Sequence, residues 1–493
     1  MTAADLLLAI DQGTTGTTCL VMDRTGLRRG RKTVEFAQHF PQAGWVEHDP
    51  DVIWASVETA AAGALADAEV EGARIAAVGI TNQRETTLLW DRDRGRPIAR
   101  AIVWQDRRTS ALCASLAKHA EMARKRTGLV FDPYFSGTKV RWLLDEVEGA
   151  RAKAEAGKLA FGTIDSYLIH RLSGGAVHAI DATNASRTLL MNLRGGWDEE
   201  MCALLRVPPA VLPRIVPSVG EVARTSGFGP LPDGVPITGI AGDQQAALFG
   251  QACFAVGEAK CTYGTGAFVL ANIGSEPITS RFGLLTTVAW QIGDEITYAL
   301  EGSAFVAGAA VQWLRDGLGL LEQARDVEAL AASVESSEGV YFVPALAGLG
   351  APYWDPEARG LICGLTRGST AAHLARATLE GIAHRVTDLL EAMADDLRAP
   401  LEKIRVDGGA AANDLLMREQ ARLAGLRIER PRDLESTARG AAMLAALGAG
   451  LFADRAEVAG MAPIAHRFEP PEDGALRREA RQGWKEAVAR TRT

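Results

Sequence analysis

The chain has 493 residues, 47% of them hydrophobic and 23% charged, with a formal net charge of −8. No uninterrupted apolar run reaches the ~18 residues that span a bilayer, and the acidic balance disfavours nucleic acid as a partner. The length exceeds one ordinary core and predicts two domains, while six scattered cysteines without a C-x-x-C pair argue against a zinc or disulfide framework and fit a reducing cytoplasm.

The start, Met1 to Asp5, has no basic stretch before its apolar residues, so no leader is expected and the mature protein is read as beginning there. A strand through Ile10 runs into Asp11-Gln12-Gly13-Thr14-Thr15-Gly16-Thr17-Thr18, a carboxylate followed by a small, hydroxyl-rich turn. Such a loop is either a plain glycine turn or a phosphate cradle. In the second case small side chains let phosphate reach backbone N–H groups, Gly13 and Gly16 permit backbone angles closed to other residues, and Asp11 partners Mg²⁺. Strands at 17–22 and 33–36 complete a β-meander, with a turn at 23–26. Asp49-Pro50-Asp51 then starts a helix over 52–68, and a buried strand over 75–80 ends at Thr81-Asn82-Gln83-Arg84-Glu85.

The second half repeats that order on a larger scale. A strand over 258–262 leads into the loop Tyr263-Gly264-Thr265-Gly266-Ala267-Phe268, and a hairpin turns at 293–295. Apolar residues from Leu379 to Leu397 at three- and four-residue steps predict a helix over 370–397, followed by a strand over 403–407 that ends in Gly408-Gly409. Pro-rich stretches at 207–217 and 230–236 precede a boundary near 250 and give two α/β domains, 1–250 and 251–493.

Three glycine-bearing loops at strand ends, 11–15, 263–268 and 407–413, are what a nucleotide held between two halves requires. Asp243, after Gly242 and before a helix-forming run, is either a helix N-cap or a general base for an attacking alcohol. Arg84-Glu85 is either a surface ion pair or a donor–acceptor grip on a neutral polyol. Both side chains serve one ligand only if the strand has already ended. Trp104, Tyr134 and Phe268 are either core aromatics or walls of that site.

These residues resemble the FGGY carbohydrate kinases, and within them the glycerol branch, over nearly the whole chain. The resemblance is carried by Asp11-Gln12-Gly13-Thr14-Thr15, Asn82-Gln83-Arg84-Glu85-Thr86, the run 132–139, the run 242–251, the run 348–355 and Asp407-Gly408-Gly409. It implies two ribonuclease-H-like domains of the actin-like ATPase kind, with a nucleotide and substrate cleft between them. It also implies transfer of phosphate from ATP to glycerol, giving sn-glycerol 3-phosphate, with Mg²⁺. Arg84, Glu85, Tyr134, Asp243 and Gln244 are implied to bind the polyol hydroxyls, with Trp104 and Phe268 on its carbons. Thr14, Thr15, Gly16, Thr265, Gly308, Gln312, Gly409 and Asn413 are implied to contact the nucleotide, Asp11 the metal, and Asp243 is implied to be the catalytic base. A cytoplasmic homodimer or homotetramer is the family expectation.

Two departures stand out. The arginine that follows the first loop in many members is Thr18 here, and the stretch 226–234 has neither the basic glycine-rich loop that binds fructose 1,6-bisphosphate in some members nor a histidine for phosphorylation. Control by either route is not expected. The rivals are a kinase for another polyol or a pentulose, and a non-catalytic actin-like nucleotide switch.

Overall fold

Thirteen strands form one continuous sheet in the computed structural model, which describes residues 4–492. The expected start at Met1 to Ala3 lies outside the described residues. In chain order the strands are β1 (Leu6–Gln12), β2 (Gly16–Met22), β3 (Arg28–Glu35), β4 (Ile75–Asn82), β5 (Val219–Arg224), β6 (Pro236–Gly242) and β7 (Ala259–Tyr263). They continue with β8 (Ala267–Gly274), β9 (Leu285–Ile292), β10 (Glu295–Ala304), β11 (Lys403–Asp407), β12 (Arg427–Pro431) and β13 (Ile464–Phe468). Their order across the sheet is β13-β12-β11-β7-β8-β10-β9-β5-β6-β4-β1-β2-β3.

One motif occurs twice in that order. β1, β2 and β3 form an antiparallel meander, with β1 parallel to β4 and β4 parallel to β6. In the second half β7, β8 and β10 are antiparallel neighbours, with β7 parallel to β11 and β11 parallel to β12. The repeated α/β order expected from the sequence is therefore present, and it puts the ends of β1, β7 and β11 where the glycine loops begin and the end of β4 where Arg84 and Glu85 follow.

The helices that matter for the site are α1 (Pro50–Asp67), α2 (Asp243–Gly250), α3 (Gly308–Asp316), α4 (Ala371–Leu397), α5 (Asp414–Ala424) and α6 (Ser436–Gly448). Asp49 caps α1, accepting from the Asp51 N–H at 2.9 Å, with Pro50 in the first turn, as its sequence predicts. β1 is buried on both faces: Leu6, Leu8 and Ile10 pack in the α1 core, and Leu7 and Ala9 pack with α6. That explains its unbroken apolar run, and alternation puts Asp11 on the α6 side.

β3 begins at Arg28, earlier than the expected 33, and ends at Glu35. It is the edge strand, and most of its first five residues face solvent, so the hydrophobic alternation that marks a strand is missing there.

α2 and α6 cross with almost no side chain between them. A Cβ at Gly440 would stand 1.8 Å from the Ala246 carbonyl oxygen, and one at Gly250 would stand 2.1 Å from that of Ser436. α6 also lies directly on the sheet, because a Cβ at Gly79 or Gly239 would meet its backbone at 2.1 or 2.2 Å. Among the described residues no helix is long and apolar enough to cross a membrane, and all six cysteines are free thiols.

Candidate active site

β4 stops at Asn82, so Arg84 and Glu85 lie beyond the strand, as a shared ligand requires. Glu85 takes φ 59°, a left-handed conformation that costs a non-glycine residue about 1–3 kcal/mol and persists where the surroundings over-determine it. Both side chains are buried, which rules out the surface ion pair. Arg84 Nη1 and Nη2 donate to the two carboxylate oxygens of Glu301 at 2.5 and 3.2 Å, and Nη2 also donates to the Tyr134 hydroxyl at 3.1 Å. Arg84 Nε lies 3.1 Å from Asp243 Oδ1 and 3.8 Å from Glu85 Oε1. Trp104, Tyr134 and Phe268 come together around a cavity of about 310 Å³, with Phe135 and Ser303 among its other walls. Trp104 packs edge-on to Tyr134 at 5.7 Å.

Asp243 is the first residue of α2, and Gly242 is its N-cap. The N-cap role is therefore corrected. The carboxylate accepts only from the adjacent Gln244 N–H, at 2.7 Å, because from the first helical position it does not reach back over the next turn. Its side chain keeps 32% exposure, open to the cleft. Burial raises its pKa above the ordinary carboxylate range, while the Arg84 guanidinium and the Lys260 ammonium work against that rise. A carboxylate so placed is a stronger proton acceptor than a free one.

The second and third glycine loops meet in a cavity of about 460 Å³. Thr265, Gly308, Gln312, Gly409 and Asn413 all line it, with Leu379, Ile382 and Leu416 supplying an apolar floor. Asn413 also caps α5, accepting from the Leu416 N–H at 2.8 Å, so its side-chain oxygen is committed to the helix. The two glycines differ in what they allow. A Cβ at Gly308 would press on the Gly264 carbonyl oxygen at 2.6 Å, whereas one at Gly409 meets no atom within 4 Å. Gly409→Val is thus expected to keep its thermal midpoint, measured by thermal unfolding, because its side chain enters open space.

Thr14, Thr15 and Gly16 do not line that cavity. Thr14 Oγ1 accepts from Trp104 Nε1 at 2.9 Å, which ties the first loop to the aromatic wall instead, and the Thr15 carbonyl is taken by the Phe36 N–H at 3.2 Å. Neither Gly13 nor Gly16 has a positive φ, so the expected backbone freedom is not used. Space explains Gly16, where a Cβ would stand 2.8 Å from the Val34 carbonyl oxygen. Thr18 pairs its hydroxyl with Thr33 at 2.8 Å. Burial, followed by the charges of Asp243 and Glu435, pushes the Asp11 carboxyl up to about 8. Such surplus negative charge suits a cation. Among the described residues no cluster of three or more His, Cys, Asp or Glu side chains is arranged to hold one.

Sequence reading missed Glu301, Arg187 and Lys260. Arg187 Nε donates to Glu85 Oε1 at 2.6 Å and its Nη2 to Glu301 Oε1 at 3.0 Å. The two arginines hold the Glu301 carboxyl down at about 2 despite its burial. Its stabilising contribution is therefore complete above its ordinary value of 4.5 and is lost as pH falls through about 2. Lys260 is buried and donates to Gln244 Oε1 and to Thr262 Oγ1. The one signal available was a charged residue inside an otherwise apolar strand, Glu301 in Tyr298-Ala299-Leu300-Glu301-Gly302.

Comparison with known proteins gives the family. Residues 6–250 match the N-terminal domain of the FGGY family of carbohydrate kinases, and residues 259–449 match its C-terminal domain. The chain is 58% identical over 489 residues to a glycerol kinase of Aromatoleum aromaticum, covering 99% of this chain and 98% of that protein. It is 56% identical over 496 residues to a glycerol kinase of Myxococcus xanthus, covering 99% and 100%. The crystal structure of Plasmodium falciparum glycerol kinase with ADP superposes with a TM-score of 0.94 at 34% identity, covering 99% of this chain and 98% of that one. A ribonuclease-H-like motif used twice, with a cleft of this composition, and full-length likeness at this level make the chain a member of the FGGY family of carbohydrate kinases.

Proposed function

We infer that this chain is a glycerol kinase, transferring the γ-phosphoryl group of ATP to a terminal hydroxyl of glycerol and releasing sn-glycerol 3-phosphate and ADP. The observation that carries the reading is Asp243 beside Arg84 and Tyr134: a free carboxylate against a buried cation and a hydroxyl. A polyol has only hydroxyls to offer, and this trio supplies an acceptor, a donor and a group that is both. The relatives named above support the choice of glycerol.

In this mechanism glycerol lies against Trp104 and Phe268, with its hydroxyls on Arg84, Glu85, Tyr134, Asp243 and Gln244. ATP occupies the cavity of Thr265, Gly308, Gln312, Gly409 and Asn413, with its terminal phosphates toward Thr14, Thr15 and Gly16. As the glycerol oxygen forms its bond to the γ-phosphorus, the bond from that phosphorus to the β–γ bridging oxygen breaks. Asp243 takes the hydroxyl proton, and ADP leaves with the bridging oxygen. Most of the acceleration comes from positioning and from donors aimed at phosphate charge, because phosphoryl transfer asks little covalent chemistry of a protein. Mg²⁺, held by Asp11 and the phosphates, would supply neutralisation of the phosphate oxygens. Closure of domains 1–250 and 251–493 around the polyol keeps water from becoming the acceptor. A cytoplasmic homodimer or homotetramer goes with this reading, and sedimentation of the purified protein determines the assembly.

The test is a coupled ADP-release assay over glycerol, dihydroxyacetone, erythritol, xylulose and ribulose. Glycerol is expected to give the highest kcat/KM. Preference for a pentulose would replace the substrate, and nucleotide-dependent polymerisation without sugar-dependent turnover would replace the enzyme with a switch.

A further inference from the structure

Glu301 lies on β10, in the second half of the chain, yet its carboxylate is committed to two arginines of the first half. Arg84 grips both of its oxygens, and Arg187 shares one of them. All three side chains are 2% exposed or less. Arg187 passes the constraint on, since its Nε holds Glu85, and its guanidinium lies 5.5 Å from the Tyr134 ring centre and 5.1 Å from that of Phe135. The groups assigned to the polyol are thus backed by a pair that spans the two halves.

A guanidinium is planar and its five donors point in fixed directions. Glu301 takes one donor from each terminal nitrogen, a two-point grip that fixes the plane. Once it is fixed, Nε must face Asp243 and Nη2 must face the Tyr134 hydroxyl, which are the contacts observed. A single-point partner would leave the guanidinium free to turn about the contact. We propose that Glu301 is a positioning residue that sets the plane of Arg84 from across the interdomain cleft, so that the polyol site is complete only when the second half is seated on the first. This rests on the assignment of Arg84 to the polyol.

Glu301→Gln and Glu301→Asp test it, with thermal midpoints recorded and every assay run on the acceptor the wild type prefers. A failure of the glycerol assignment is then read from the wild type alone, before any variant is compared. Glu301→Gln is expected to lose on the order of 10²-fold in kcat/KM for the polyol through misplaced contacts, carried by its KM, while the KM for ATP stays within about twofold.

The pH profile supplies a readout that a merely structural pair would not move. Arg84, Lys260, Glu301 and Asp11 are the charged groups facing Asp243. Removing the charge of Glu301 and releasing Arg84 toward Asp243 both favour its ionised form. The acid limb of kcat/KM in Glu301→Gln should therefore shift to lower pH. Glu301→Asp keeps the charge but is one methylene shorter, so its polyol KM should rise while the limb shifts less. Equal changes in both KM values with an unmoved limb, an unchanged polyol KM in folded Glu301→Gln, or failure of both variants to fold would each make the pair structural only and overturn the proposal.

Discussion

Asp243→Asn is expected to lower kcat by roughly 10²–10⁴, the usual contribution of a positioned general base. The amide keeps the shape of the carboxylate and its acceptor oxygen for the Gln244 N–H, so α2 should keep its first turn. It has no basic lone pair for the hydroxyl proton. Arg84 Nε faces a neutral group after the exchange, but Glu301 still holds the guanidinium at two points. Glycerol affinity should therefore fall less than turnover. In the wild type, activity requires the ionised carboxylate, and burial places its pKa above the ordinary range. Activity should accordingly decline as pH falls through that raised value, and the variant's residual rate should lack that limb. ADP release at saturating glycerol and ATP, with circular dichroism as a control for folding, measures this. Turnover near that of the wild type would move the base elsewhere.

Arg84→Met should damage both stability and catalysis. Arg84 is the contact shared by Glu301, Asp243, Glu85 and the Tyr134 hydroxyl. Methionine fills much of the volume but leaves Glu85 and Glu301 to one remaining guanidinium, that of Arg187, and Asp243 to Lys260. Breaking a buried ion pair from one side costs about 3–5 kcal/mol, which should appear as a lower midpoint in urea unfolding. Arg84→Lys separates the two effects. It keeps one positive charge, so most of the stability should return. It has no planar fork, so it cannot satisfy Glu301 and still present donors to Tyr134 and Asp243. Its KM for glycerol should stay at least tenfold above that of the wild type. A lysine variant with normal glycerol kinetics would mean that Arg84 only balances charge.

What the sequence made legible followed from local physics. β1 announced itself because a strand buried on both faces is a plain apolar run. α4 did so because Leu379, Ile382, Val386 and Leu389 repeat at helical spacing and all face the core. Arg84 and Glu85 were found because polar residues at the end of a buried strand have few uses there. The edge strand β3 was cut short because exposed Arg28, Arg29, Arg31 and Lys32 carry no hydrophobic pattern. Glu301 and Arg187 escaped for a different reason. Their partners lie 102 to 217 residues away in the chain, and a single charged residue in a strand reads as its solvent face until the fold shows what covers it. Gly13 and Gly16 were read for torsional freedom, whereas at Gly16 it is a neighbouring carbonyl that leaves no room for a side chain.

The bare crossing of α2 and α6 bears on how the cleft shuts. Helices that interlock through side chains must lift ridges out of grooves to change their angle, and packed interfaces therefore tend to hold discrete settings. Where Gly440 meets Ala246 and Gly250 meets Ser436 there are no such teeth. A turn about this joint has no side-chain ridges to lift at these two contacts. A protein with such a joint should sample a spread of openings in place of a single open state.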